Sequence, residues 1–224
     1  DAVDPDPGCT AFHLACHSNH PECAEALVRS GCDVGLKDGD GATGREIAEA
    51  QGHTAVVERL ETLDAGQLRS KKLLEAAGKG NEAAVARLLA AGADPSALVT
   101  ARTASGRTVQ STALHAAAEY GQLEAARLLL DGGADPSLAN SNVFTPLMAA
   151  AQNGQLEVLR LLLARGAAVD AVDPDPGCTA FHLACHSNHP ECAEALVRSG
   201  CDVGLRDKSG ETGREAAERV GHGA

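Results

Sequence analysis

The sequence predicts an all-α fold, a solenoid of stacked helix pairs. Three observations carry that prediction: a period of 33 residues, a small-then-large apolar pattern within each period, and a scarcity of aromatic residues. Thr112 opens TALHAAAEYGQLEAARLLLDGGADP, and 33 residues later Thr145 opens TPLMAAAQNGQLEVLRLLLARGAAV. Thr179 follows after 34 residues, the extra one falling in the Pro-rich stretch 173–176, and Thr212 after another 33. Thr10 and Thr43 are again 33 apart. Periods of this length mark repeat architectures. With no Trp, one Tyr and three Phe, yet 44% hydrophobic residues, the chain has too few aromatics for an ordinary globular core. A helix pair of this size cannot bury its apolar face alone, so the units must stack, each on its neighbours.

A larger repeat overlies the small one. Residues 1–36 reappear letter for letter as 170–205, DAVDPDPGCTAFHLACHSNHPECAEALVRSGCDVGL. Natural divergence scatters substitutions through a duplicated segment, so the copy implies either a very recent duplication or an assembled sequence.

Each element of the unit follows from its residues. Thr145 followed by Pro146 is a helix start: the hydroxyl can cap free backbone N–H groups, and Pro at the first helical position gives up only an N–H without a partner. A short Ala-rich helix follows. Gly154, like Gly121, Gly52 and Gly221, stands where a tight or left-handed turn must break it. Leu156, Val158, Leu159, Leu161, Leu162 and Leu163 then make a second helix with a broad apolar stripe, which Gly166 ends. The small first helix can sit close to its neighbours, and the Leu-rich second supplies the bulk that stacking buries.

The 33-residue period, the tetrapeptides Thr112 to His115 and Thr145 to Met148, the glycine closing the first helix, the paired leucines and the endings GADPS and GAAVD resemble ankyrin repeats over nearly the whole chain. The resemblance implies two antiparallel helices per unit, followed by a β-hairpin finger at right angles. It also implies protein binding through a concave face of finger tips and first helices. His13 and His182 then take the tetrapeptide histidine position, which the family uses for structural hydrogen bonding, and His20, His53, His189 and His222 take the turn position.

Lys71 to Pro95, KKLLEAAGKGNEAAVARLLAAGADP, has the helix pair without the Thr-led start and is polar where an internal repeat would be apolar, as suits an N-terminal cap. Thr43 and Thr212 lead into GREIAEAQGH and GREAAERVGH, which suit C-terminal caps. The expected order is the end of a first array over 1–63, a short joint over 64–70, and a second array over 71–224. That second array has a cap-like 71–95 and repeats from 112, 145, 179 and 212. The joint is too short for a long flexible tether, so a nearly fixed relation is expected.

Two departures from the pattern stand out. The run from Asp94 to Thr112 is eight residues longer than that from Asp135 to Thr145, predicting an extended hairpin or a mobile loop. In the next finger, Ser141, Asn142, Val143 and Phe144 put Val143 where other units have Gly41 or Gly210. An apolar tip invites a binding role, the alternative being that Phe144 packs on the adjacent finger. Where the two copies end, residues 37–55 and 206–224 differ at eight positions. Five of these, Gly39, Asp40, Ala42, Ala50 and Gln51 against Lys208, Ser209, Glu211, Arg219 and Val220, fall on a finger tip or helix end. Change concentrated there, beside an unchanged framework, looks like selection or design for binding, although exposed sites also tolerate drift.

Chemistry is sparse. All eight Cys lie in the copied segment. Cys9, Cys16 and Cys23 with His13, His17 and His20 raise a zinc or redox reading, but they lie on different elements without a Cys-x-x-Cys pair, and small buried thiols are the plainer role. There is no nucleophile elbow or dinucleotide fingerprint, and GKGNEA at Gly78 lacks the phosphate-loop spacing. Glu22 and Glu25 read as a solvated face. A net charge of −12 opposes nucleic-acid and anionic-membrane binding.

The expectation is a non-catalytic module that needs no cofactor and binds a protein partner, with self-association through the identical copies and a structural scaffold as alternatives. Reduced thiols suggest an intracellular compartment, unless the chain is a recombinant assembly. The expected contacts are Glu119, Tyr120, Gln152, Asn153, His186 and Ser187 at first-helix ends, with Ser141, Asn142, Val143, Phe144, Asp175, Lys208, Ser209 and Glu211 on the tips. Tyr120 and Phe144 are the preferred anchors.

Overall fold

The computed structural model describes residues 8–102 and 108–222. The opening residues of the first copy, the centre of the long insertion expected as a hairpin or loop, and the last two residues of the cap-like end lie outside the described residues. The chain divides into two compact units, 1–67 and 68–224. The first holds α1 (Ala11–His17), α2 (Pro21–Arg29), α3 (Gly44–Ala50) and the opening turns of α4 (Thr54–Gly78). The second holds the rest of α4, α5 (Glu82–Ala90), a ribbon of β1 (Val99–Arg102) and β2 (Thr108–Ser111), and then α6 (Ala113–Glu119), α7 (Leu123–Asp131), α8 (Pro146–Gln152), α9 (Leu156–Ala164), α10 (Ala180–His186), α11 (Pro190–Arg198) and α12 (Gly213–Arg219).

Helices of seven and nine residues are too short to persist in water alone, so caps and packing hold them. Thr10, Thr43, Thr112, Thr145, Thr179 and Thr212 each sit at an N-cap, the hydroxyl accepting from the backbone N–H three residues on. Gly121 and Gly154 have φ of 70° and 67° at the turn between the paired helices, and in the two copies Asn19 and Asn188 fill that place at 53° and 58°. Asn tolerates the left-handed region better than other residues bearing a Cβ.

In the second unit first helices pack on first helices, α6 on α8 and α8 on α10, while α7 packs on α5 and α9. Leu114, Leu129, Leu147, Met148, Leu159, Leu162 and Leu196 are fully buried in one continuous core. The first unit has its own smaller core of Phe12, Cys16, Ala24, Ala48, Val56 and Leu60. Thus the all-α helical-repeat fold holds, and the only strands among the described residues are the fingers' ribbon in the long insertion.

The glycine that replaces Pro or Ala in the tetrapeptides at Thr43 and Thr212 has a packing cause. A Cβ on Gly213 would lie 2.8 Å from Phe181 Cδ1, and one on Gly44 would lie 2.7 Å from Phe12 Cδ1. The Phe rings of the copied segment occupy that space.

Candidate functional site

The fingers are built from a side-chain clasp. Asp38, Asn140 and Asp207 each place a side-chain oxygen under two backbone N–H groups of their own tip; in Asn140 these belong to Asn142 (2.9 Å) and Phe144 (3.1 Å). Asp173 does the same for Gly177 and Cys178. Opposite the clasp the chain must turn through positive φ, and Gly41, Gly177 and Gly210 do so. Val143 does so as well, at 59°. A β-branched residue in that region is a genuine outlier, because its Cβ crowds the following carbonyl.

Histidine ties three of the fingers to the helices before them. Thr112 Oγ1 lies 2.8 Å from His115 Nδ1, and His115 Nε2 lies 2.6 Å from the Phe144 carbonyl oxygen. A carbonyl can only accept, so Nε2 carries the proton and the Thr112 hydroxyl donates to Nδ1. The same bridge joins His13 to Ala42 and His182 to Glu211. Burial lowers the pKa of His115 to about 4, which keeps it in the neutral form the bridge requires. Met148 stands at this position in the next unit, where its sulfur accepts from Thr145 N–H at 3.4 Å.

All the expected contact residues lie in the second unit. Tyr120 caps α6 with 51% of its surface exposed, its ring resting against Gly78. Glu119 is half-buried; burial raises its carboxyl pKa, and its carbonyl accepts from Gln155 Nε2. Gln152, Asn153 and His186 are exposed at helix ends, and Ser187 is half-buried at the end of α10. Asn153 Nδ2 donates back to the Ala149 carbonyl. On the tips, Ser141, Asn142 and Val143 are exposed, while Phe144 is half-buried and packs against the core. Asp175, Lys208 and Ser209 are exposed and Glu211 is half-buried.

Adjacent tips are joined in pairs. Ser141 N–H donates to the Gln110 carbonyl at 2.9 Å while Gln110 N–H donates to Ser141 Oγ at 3.0 Å, so β2 extends the row of fingers. Lys208 N–H donates to the Pro176 carbonyl, and Lys208 Nζ lies 3.4 Å from Asp175. Glu211 takes both carboxylate oxygens to Arg219 Nε, at 2.9 and 3.0 Å. The differences between the copy ends are therefore coupled: Glu211 and Arg219 replace Ala42 and Ala50 and pair with each other. Neither Gln110 nor this pair was evident in the sequence, since both depend on contacts between consecutive fingers or between a finger and a helix end.

Three of the thiols are held away from nucleophilic chemistry. Burial pushes Cys16, Cys178 and Cys185 up to about 11, away from the reactive thiolate. Among the described residues no three His, Cys, Asp or Glu side chains converge as a metal site, and no helix is long and apolar enough to cross a membrane.

Stacked two-helix repeats with capped starts and projecting fingers define the helical-repeat class that binds other proteins. The family described as ankyrin repeats (3 copies) matches over 46–140, 73–173 and 114–207, and the single ankyrin repeat over 7–39. The chain belongs to the ankyrin-repeat family. It is 34% identical over 150 residues to the mouse B-cell lymphoma 3 protein homolog, covering 62% of this chain and 32% of that protein. It is 32% identical over 220 residues to mouse ankyrin repeat and SOCS box protein 16, covering 94% and 40%. It is 29% identical over 220 residues to the Caenorhabditis elegans transient receptor potential cation channel subfamily A member 1 homolog, covering 92% and 17%. The chain thus spans less than half the length of these relatives.

Proposed function

We propose that the chain is a protein-binding module without catalytic activity, in which the finger tips and first-helix ends of the second unit form a concave recognition face. The observation that carries this reading is Val143. It is an apolar side chain, 48% exposed, held in a backbone region that costs a β-branched residue roughly 1–2 kcal/mol, at a place where glycine serves in other fingers. Strain retained at an exposed position is characteristic of functional surfaces. Tyr120 supplies a second contact, an aromatic one, on the same row of elements, and Glu119, Gln152, Asn153, His186 and Ser187 with the tips at 141–144, 175 and 208–211 supply the polar rim. Ankyrin repeats generally mediate protein–protein interaction, and the chain's similarity to proteins as different as a transient receptor potential cation channel homolog and an ankyrin repeat and SOCS box protein supports a binding role over a shared activity.

The test pairs two variants against one partner. Tyr120→Ala and Val143→Gly should each weaken binding, and together by more than tenfold, with the helical circular-dichroism signal kept. Unchanged affinity in the double variant would refute this placement of the face.

A further inference from the structure

The row of fingers in the second unit begins at the ribbon of β1 and β2. Tips are joined in order, Ser141 to Gln110 and Lys208 to Pro176, each bonding to the finger before it. The helix pair that leads into the ribbon has no finger ahead of it, because residues 54–78 run as one helix, α4. The outer side of β1 is therefore a sheet edge that arises within the chain.

The register shows what that edge presents. β1 pairs antiparallel with β2, Val99 opposite Ser111, Thr100 opposite Gln110, Ala101 opposite Val109 and Arg102 opposite Thr108. Gln110 turns both its N–H and its carbonyl toward Ser141, so it cannot bond across to Thr100. Hydrogen-bonded and non-hydrogen-bonded pairs alternate along such a ladder, so Val99 and Ala101 carry the bonds to β2 while Thr100 points its N–H and carbonyl outward. Among the described residues no hydrogen bond takes up either group, and Thr100 is exposed. Leu98, just before the strand, is 44% exposed. Proline and bulges commonly blunt an exposed edge, and the unbroken register of β1 has neither.

We propose that the outer edge of β1 is a docking site for an extended, basic segment of a partner protein, which adds to the finger sheet as a further strand. Main-chain bonds to Thr100 anchor the segment, and Leu98 offers it an apolar contact. The charge balance selects the occupant. At −12 the chain repels a second copy of itself and attracts a segment rich in Lys or Arg. Neither Leu98 nor Thr100 belongs to the tips or helix ends of the proposed recognition face, so this edge is a separate contact.

The experiment titrates the intact 224-residue chain into a fluorescein-labelled peptide, Lys-Lys-Val-Thr-Val-Thr-Lys-Lys, and follows anisotropy. Saturable binding is expected. Thr100→Pro removes the outward N–H without touching a bond to β2 and should weaken binding at least tenfold, whereas Thr100→Val should keep it. Because an added strand pairs along one side only, methylating the amide nitrogens of both valines or of both threonines should abolish binding in one peptide and spare it in the other. Tyr120→Ala with Val143→Gly should leave the peptide's affinity unchanged. No saturable binding would overturn the proposal, as would indifference to Thr100→Pro or equal behaviour of the two methylated peptides. Loss of binding in the Tyr120 and Val143 double variant would seat the peptide on the tips and overturn it as well. Self-association that Thr100→Pro abolishes, without uptake of the peptide, would make a second copy the occupant and overturn it equally.

Discussion

Val143 and His115 show how single residues set the stability of the fingers. Replacing Val143 by glycine removes the Cβ from a left-handed position, which should raise stability by about 1 kcal/mol even though it removes a contact from the surface. A urea melt that shows Val143→Gly less stable than the parent would contradict the strain at this residue. His115 predicts a pH dependence with a definite sign. An unfolded histidine titrates near 6.5 and the buried one at about 4, so between those values the unfolded chain holds the extra proton. Stability should therefore fall as pH is lowered from about 6.5 toward 4, by at most about 3 kcal/mol from this group. Thermal melts of His115→Gln, compared with the parent across that window, should show a shallower slope. At Gly213, alanine would put a Cβ 2.8 Å from the Phe181 ring, so Gly213→Ala should lower the melting temperature although alanine is the better helix former. These features differ in how far the sequence disclosed them. The odd Val143 was visible against Gly41 and Gly210, but the ring filling the space at Gly213 was not, because it comes from another repeat.

At the scale of elements, the helix pairs were legible because their signals are local: a Thr cap, an Ala-rich turn, a glycine break and a leucine stripe. Removing one cap by Thr112→Ala should cost about 1 kcal/mol, and more if the His115 bridge is lost with it. Leu159→Ala, in the fully buried stripe of α9, should cost about 2–5 kcal/mol, measured by denaturant midpoint at constant m-value. Two elements escaped local signals. Residues 64–70 read as a joint, yet they lie within α4, since Gly66 alone costs a helix only about 1 kcal/mol and the residues around it favour helix. The ribbon of β1 and β2 was legible as an insertion, whereas its pairing with Ser141 depends on the neighbouring finger.

For the molecule as a whole, repetition made the architecture plain. Identical sequences foretell identical folds, and residues 10–36 and 179–205 do fold alike. They do not foretell that α4 packs on α1, α2 and α3, because that contact is made by residues C-terminal to the first copy. The proposed recognition face is a set of positions taken from the resemblance in repeat pattern; the tip-to-tip link of Gln110 to Ser141 and the tip-to-helix link of Glu211 to Arg219 needed the fold.

The central claim is that finger tips and first-helix ends carry binding. It is tested most directly by measuring a partner's affinity for the parent, for Tyr120→Ala with Val143→Gly, and for Glu157→Ala on the exposed side of a second helix. The double variant should lose more than tenfold while Glu157→Ala stays within about twofold, as exposed sites outside an interface do. Equal losses in the two, or a larger loss at Glu157, would contradict the account.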